Sequence, residues 1–418
     1  MVAAPHSGES ETLVDEHLEE LRLLTDTAGA EVVATLVQRL HKPHPRLYIG
    51  SGKADELRAL AEYNDASLVV FDEDLSPAQG AALEKRLGIR VVDRTELILD
   101  IFALRARTAE SRLQVELAQL QYLRTRLKRM WTHLSRTQGG IGTRGPGETQ
   151  LETDRRLIDR RITHLRRQLK QIVRGRDTRR KARQSEFRVA LVGYTNAGKS
   201  SVLRELSGSD VFVENRLFAT LDNATRAVEL YGGYRVLFTD TVGFIRKLPH
   251  HLVASFRATL EEIADADLLV HVIDVSSVSW EHQVEAVDLV LADLGASERS
   301  VLLAFNKVDR LTQSEDEALR LRIADLYGDH VFTSVIETDG LADLTDELRR
   351  RCAADRPAVE VSIPIADGRT LAEVYREAEV LGRVETDSAI ILKARVPLEV
   401  LGRWRRIDGV TVEGAGKS

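Results

Sequence analysis

The chain has 418 residues, more than one hydrophobic core accommodates, so two to four domains are expected. Hydrophobic residues make up 43% and charged residues 30%, and no apolar run approaches the roughly 18 residues of a spanning helix, which sets aside an integral membrane protein. The net charge of −6 hides an asymmetry: residues 105–183 hold 22 Lys and Arg against seven Asp and Glu, so the remainder carries −21.

The opening MVAAPHSGES has no basic stretch leading into an apolar one, and the single cysteine, Cys352, permits no internal disulfide; a cytoplasmic protein is expected. Residues 1–29 read as a disordered tail. From 30 to 104, short apolar runs (EVVATLV, SLVVF, IRVV) alternate with helix-like stretches, the pattern of an α/β domain around a parallel sheet. Ser76-Pro77-Ala78-Gln79 is a helix start with a capping box. GSGK at 50–53 imitates the end of a phosphate loop, but its leading glycine would fall on Leu47 and its hydroxyl on Ala54, so it is rejected.

Between 105 and 183 the period lengthens. Leu113, Leu117, Leu120, Leu123, Leu127, Met130 and Leu134 recur at helical steps, as do Ile158, Ile162, Leu165, Leu169 and Ile172. A glycine-rich segment, QGGIGTRGPGE, separates them, and Thr149 with Glu152 forms a capping box for the second helix. The expectation is an antiparallel hairpin with a tip at about 135–148. Its excess of 15 positive charges suits a polyanion, and scarce aromatics favour folded RNA over stacked single strands. Arg136, Gly140, Arg144, Gly145, Arg155 and Arg156 are the candidate RNA contacts; a plain flexible linker and an anionic membrane surface are the alternatives.

At 187 the strand FRVALVG runs into GYTNAGKS and then a helix, a complete phosphate loop in the required setting. Gly193, Tyr194, Thr195, Asn196, Ala197, Gly198, Lys199, Ser200 and Ser201 are expected around the nucleotide. The backbone N–H groups curl about the phosphates, Lys199 meets the β and γ oxygens, and Ser200 ligates Mg²⁺. In RLFATLDNATR, Thr220 stands midway between Ser200 and Asp240, where a metal-ligating switch threonine belongs, with Thr225 as the alternative. Phe218, Ala219, Leu221 and Asp222 accompany it. The strand RVLFTD delivers Asp240, Thr241, Val242 and Gly243, of which Asp240 reaches the metal through water and Gly243 senses the γ-phosphate. Asn306-Lys307-Val308-Asp309 selects guanine, because the Asp309 carboxylate accepts from two N–H groups that adenine lacks. Ser334 and Val335 are the candidates for a loop returning to the base. Lys199, Thr220 and Gly243 are the expected catalytic set, with Mg²⁺ as cofactor and GTP and GDP as substrate and product.

The segments GTRGPGETQLETDRR, GYTNAGKSS, LFATLD, DTVGFIRKLP and NKVD, with YIGSGKADEL, LSPAQ and DRTELILDIFALRA upstream, closely resemble the HflX family of ribosome-associated GTPases over residues 30–355. The resemblance implies a protein that binds the large ribosomal subunit through the hairpin and splits stalled ribosomes under heat or antibiotic stress; a monomer with transient membrane association is expected. Ser201 and Asn223 replace a Thr and a Pro usual there, and TSVIETDG replaces a Ser-Ala-Lys segment. Phe244 stands where other GTPases carry a water-orienting Gln, so slow intrinsic turnover and help from the ribosome are expected, while simple packing of Phe244 is the alternative. An RNA-binding switch in ribosome assembly and a membrane-surface GTPase are the competing functions. The fold expected is multidomain α/β: an N-terminal α/β domain (30–104) with a long helical hairpin (105–183), a phosphate-loop GTPase domain (187–355) with a mostly parallel sheet, and a small C-terminal α+β domain (356–418).

Overall fold

The computed structural model describes residues 1–137, 146–180, 186–208, 216–231, 234–248, 252, 262–296, 298–354 and 356–414. Four parallel strands, β1 (Val2–Ala3), β2 (Leu36–Val37), β3 (Leu68–Phe71) and β4 (Arg90–Asp93), form the first sheet in the order β2-β1-β3-β4. Helices α1 (Glu11–Thr27), α2 (Ser51–Tyr63) and α3 (Pro77–Leu87) connect them, and α4 (Arg94–Arg105) leaves from β4. Residues 1–29 are therefore not a disordered tail. Ser10 caps α1 by accepting from the Leu13 N–H, and Val14, Leu21 and Leu24 bury its apolar stripe. The expected EVVATLV strand contracts to two residues, because its sheet partner β1 is only two residues long. Ser76 and Gln79 make the capping box of α3 in both directions.

Helix α4 is apolar on several sides: Leu97, Ile98, Leu99, Ile101 and Phe102 are all buried, so it lies inside the molecule rather than on it. It leads into α5 (Ala109–Thr137), which pairs with α6 (Pro146–Arg180) as the hairpin. Leu117, Ile162, Leu165 and Leu169 form the seam with Leu113, Leu120 and Ile158 beside them, and Arg161 pairs with Glu116 across it at 2.6 Å. Leu123 departs from its expected place on the seam and is 47% exposed. Helix α6 begins at Pro146, ahead of the expected Thr149 cap, in keeping with the fixed φ of proline at a first helical turn.

The second sheet comprises β5 (Phe187–Val192), β6 (Ala224–Leu230), β7 (Tyr234–Asp240), β8 (Leu268–Asp274), β9 (Val301–Asn306) and β10 (His330–Thr333) in the order β10-β9-β8-β5-β7-β6. All its pairings are parallel except that of β6 with β7. Helices α7 (Lys199–Ser207), α8 (Trp280–Asp293), α9 (Gln313–Leu326) and α10 (Ala342–Ala354) flank it. Then β11 (Ala358–Pro364), α11 (Gly368–Glu377), β12 (Glu379–Glu385), β13 (Ala389–Arg395), α12 (Leu398–Trp404) and β14 (Thr411–Gly414) build an antiparallel sheet, β12-β13-β11-β14, in the β-α-β-β-α-β order of a ferredoxin-like unit.

These units are joined by core packing as well as by loops. One apolar cluster runs from Leu21, Leu24 and Phe102 of the N-terminal domain into Val189, Leu191, Phe218 and Phe244 of the second. The Phe102 and Phe218 rings meet edge to face at 4.7 Å. At the far end, the Tyr234 hydroxyl donates to Glu379 at 2.5 Å, and the Arg356 guanidinium lies 3.9 Å from the centre of the Tyr234 ring.

Candidate functional site

The buried strand β5 ends at Gly193, and the loop to α7 crosses above the central strands. Gly198 has φ +106°, and a Cβ there would stand 2.3 Å from Asn306 Nδ2, so only glycine fits. Asn306 is wholly buried: its Nδ2 donates to Ala197 O at 2.9 Å, and its Oδ1 accepts from the Thr333 hydroxyl at 3.2 Å. One amide thereby fastens the phosphate loop to β10. Lys199, 5% exposed, donates from Nζ to the carbonyls of Gly193 (3.1 Å) and Tyr194 (2.8 Å). Burial lowers its pKa to about 8, with Asp240 opposing and Lys307 reinforcing the shift.

Three oxygens converge behind it. Ser200 Oγ lies 2.8 Å from Thr220 Oγ1 and donates to Asp240 Oδ2 at 2.6 Å. Asp240 is fully buried and its carboxyl pKa is raised, first by that burial, while its Oδ1 has no hydrogen-bond partner among the described residues. Hard oxygen donors with one buried carboxylate oxygen unspent fit Mg²⁺. Thr225 is elsewhere, on β6, where its hydroxyl meets Thr239 at 3.1 Å.

A cavity brings together Thr195, Asn196, Gly198, Lys199, Ser200, Ser201, Phe218, Ala219, Thr220, Thr241 and Gly243. Arg216 also lines it, and the sequence reading missed that residue; its place four positions before Thr220 was the available signal. A Cβ on Gly243 would meet Thr195 Cα at 2.7 Å, so the segment presses directly on the phosphate loop. Phe244 continues that contact: its N–H donates to Gly193 O (3.1 Å) and its O accepts from the Thr195 N–H (2.7 Å). Its ring is 1% exposed and belongs to the core. The packing alternative therefore describes the Phe244 ring in this structure.

At the other end, Lys307 has φ +66° and donates to Asn196 O (2.9 Å) and Asp274 Oδ2 (2.5 Å), bracing the loop from the side. Asp309 Oδ1 accepts from Ser334 Oγ at 2.6 Å, and the Ser334 N–H is held by Gly340 O at 2.9 Å. The atypical TSVIETDG segment therefore still delivers a hydroxyl to the Asp309 carboxylate. Val308 and Val335 stand beside these two residues in sequence, both partly buried.

Several expected nucleotide contacts turn the other way. Leu221 and Val242 are buried in the core. The Tyr194 hydroxyl donates to Glu20 of α1 and accepts from the Arg246 N–H at 2.8 Å. The Arg246 guanidinium then meets Asp72 (2.5 Å) and Glu20 (3.0 Å), and Lys247 meets Glu73 (2.7 Å). Arg94, 1% exposed, joins Asp72 at 2.8 Å and also Glu20. Asp222 faces α5: its Oδ2 accepts from the N–H groups of Arg107 (3.1 Å) and Thr108 (3.3 Å), and its Oδ1 from the Thr108 hydroxyl (2.6 Å). Its side chain is spent on a helix start instead of on a nucleotide. Of the expected RNA contacts, Arg155 and Arg156 are exposed on α6, while the side chains of Arg136, Gly140, Arg144 and Gly145 lie outside the described residues.

A phosphate loop on a mostly parallel sheet, the oxygen trio beside it and the Asn306-Lys307-Val308-Asp309 segment with its Ser334-held carboxylate define the class, a phosphate-loop GTPase. Three family descriptions match in succession: "GTP-binding GTPase N-terminal" over 15–103, "GTP-binding GTPase Middle Region" over 105–183, and "50S ribosome-binding GTPase" over 188–307. A GTPase HflX of Magnetococcus marinus is 47% identical over 405 residues, covering 95% of this chain and 92% of that protein. The GTPase HflX of Escherichia coli is 42% identical over 399 residues, covering 94% and 92%. The chain belongs to the HflX family of GTPases. A GTP-binding protein from Sulfolobus solfataricus, solved with GDP, covers 84% of this chain and 99% of its own at 24% identity and a TM-score of 0.43. Among the described residues no helix is long and apolar enough to cross a membrane.

Proposed function

We propose that this protein is a Mg²⁺-dependent GTPase that binds the large ribosomal subunit through its basic hairpin and splits or rescues stalled ribosomes under stress. Turnover of GTP to GDP and phosphate is slow alone and stimulated on the ribosome. The reading is carried by one observation: the hairpin springs from the residues that hold the Thr220 segment, so the basic arm and the oxygen trio share a wall. In this reading the backbone N–H groups of the loop 193–198 and Lys199 hold the β and γ oxygens. Ser200 and Thr220 would ligate the metal, with Asp240 behind a water, and the bound ion supplies charge neutralisation. Gly243 offers its N–H to the γ-phosphate, and Asp309, steadied by Ser334, accepts from guanine. Phe244 has no polar atom in its side chain, so the attacking water takes its orientation from a group brought by the ribosome.

Arg155, Arg156 and the tip residues Arg136, Gly140, Arg144 and Gly145 meet ribosomal RNA, and the protein acts as a cytoplasmic monomer. The family description "50S ribosome-binding GTPase" supports the choice of subunit. The test is GTP turnover by the full chain, alone and with purified large subunits, at low and moderate salt. Stimulation of at least tenfold, cut severalfold by Arg155→Ala with Arg156→Ala, is expected. Absence of stimulation sinks the reading, and preferential binding to immature subunits would move it to ribosome assembly.

A further inference from the structure

Five consecutive residues divide their side chains between two jobs. Phe218 is buried against Phe102 of α4, has φ +55°, and donates its N–H to Thr195 Oγ1 of the phosphate loop at 2.9 Å. Thr220 sits on Ser200, Leu221 is buried, and Asp222 reaches out of the domain to the first turn of α5. There Thr108 is the cap of the helix: its Oγ1 accepts from the Ser111 N–H at 3.1 Å while its hydroxyl donates to Asp222. The Asp222 carboxylate thus satisfies two further N–H groups at the positive end of a 29-residue helix.

We infer that Asp222 is a positioning residue that ties the orientation of the hairpin to the state of the nucleotide, through Thr108. The inference rests on the GTPase reading above. Thr220 and Asp222 are two residues apart, a span of at most about 7 Å, so a displacement of Thr220 toward a metal and γ-phosphate is not absorbed between them. Leu221, buried in the core, and the Phe218–Phe102 contact leave little room for slack on either side. The load falls on the junction of α4 and α5, residues 106–108, where the chain leaves helical geometry: Ala106 has ψ 109°.

A helix of 29 residues is about 43 Å long, so a 5° tilt at its root moves its end by about 4 Å. The middle of α5 is also bound to the N-terminal domain, with the Tyr122 hydroxyl 3.0 Å from Asp93 and Arg126 2.5 Å from Glu96. The N-terminal domain and hairpin therefore turn together as the lever, and Asp222 is its polar contact with the Thr220 segment, beside the Phe102–Phe218 packing. Loss of the γ-phosphate would relax that segment and return the arm to its resting angle.

The experiment measures the arm directly in the full chain. With Cys352→Ser as background, spin labels are placed by Leu157→Cys on α6 and Leu289→Cys on α8, both exposed. Leu157 lies near the level of Arg124, whose partner is Asp159, so about 22 Å of lever separates it from the root. The separation is recorded by pulsed dipolar spectroscopy with Mg²⁺-GDP and with a non-hydrolysable GTP analogue, occupancy being verified by fluorescent-nucleotide titration. The expected result is a shift in mean separation of about 2 Å or more between the two nucleotides. Asp222→Ala and Thr108→Ala abolish the shift, and Thr108→Ser, which restores the hydroxyl, restores it. A shift that persists in both alanine variants, or that is absent from the parent with both nucleotides bound, overturns the inference. Failure of the parent to bind guanine nucleotides would instead overturn the GTPase reading itself, and the titration separates that failure from the others.

Discussion

At the scale of single residues, two buried side chains set the behaviour of the site. Phe244 is part of the core, so its ring has structural weight whatever happens at the phosphate. Phe244→Ala should cost about 3 to 5 kcal/mol, the usual range for emptying a buried aromatic site. Phe244→Gln would bury an amide and should destabilise as well, without raising the turnover of the isolated protein, because its side chain enters the core and not the cavity. Urea denaturation and single-turnover hydrolysis test both, and a Gln variant hydrolysing tenfold faster alone would show that the ring occupies the water-orienting place after all. His271 on β8 is buried behind the loop, and desolvation, reinforced by Lys199, lowers its pKa to about 3. The fold therefore keeps the ring neutral, whereas the unfolded chain takes up a proton near pH 6.5. Stability is complete above that value and falls as pH drops from 6.5 toward 3. Between pH 7.5 and 5 the loss from this group is about 2 kcal/mol, and His271→Gln should flatten that part of the stability profile.

At the scale of elements, legibility followed the range of the interactions. The phosphate loop was readable because an apolar strand, fixed glycines and a helix start lie within 20 residues; the hairpin was readable because its seam repeats over many turns. Helix α1 escaped because Glu11, Asp15, Glu16, Glu19 and Glu20 crowd a narrow apolar stripe, and β1 because two residues carry no periodicity. Their meaning is tertiary: Glu20 finds Tyr194 174 residues away, and Asp72 finds Arg246 across the same interval. Phe244 was legible as a departure from Gln, but its burial is tertiary: it pairs with Tyr194, some 50 residues earlier, and joins a core that spans two domains. The charge network behind that packing gives an element-level prediction. Arg94→Met should destabilise by about 3 kcal/mol, the low end for breaking a buried pair, since Arg246 still faces both acids. The same variant should loosen the segment after Gly243, seen as faster hydrogen exchange at Arg246 and Lys247. Unchanged exchange there would confine the network to the N-terminal domain.

At the scale of the molecule, charge decides how a chain of net −6 meets a polyanion. Residues outside 105–183 carry −21, so they are repelled by RNA, and approach is possible chiefly arm first. The outer face of α6 presents Arg156, Arg160, His164 and Arg167 along one stripe, with Thr163 and Asp159 between them, the latter facing Arg124 and Arg155. Arg156 is partnered by Glu152, whereas Arg160 and Arg167 pair with no carboxylate among the described residues, so their charges are free to replace counterions. Binding to the large subunit should weaken steeply with salt, and each phosphate contact removed should lower the slope of log affinity against log salt by about 1. Arg160→Ala with Arg167→Ala should lower that slope by about 2 while leaving guanine-nucleotide affinity unchanged, because both lie on the shaft far from the cavity. Titration of labelled protein with large subunits between 50 and 300 mM salt, concentrations chosen to span the steep range, measures it. A double variant with the parental slope would mean that the shaft stands clear of the phosphates, leaving the tip alone to engage them.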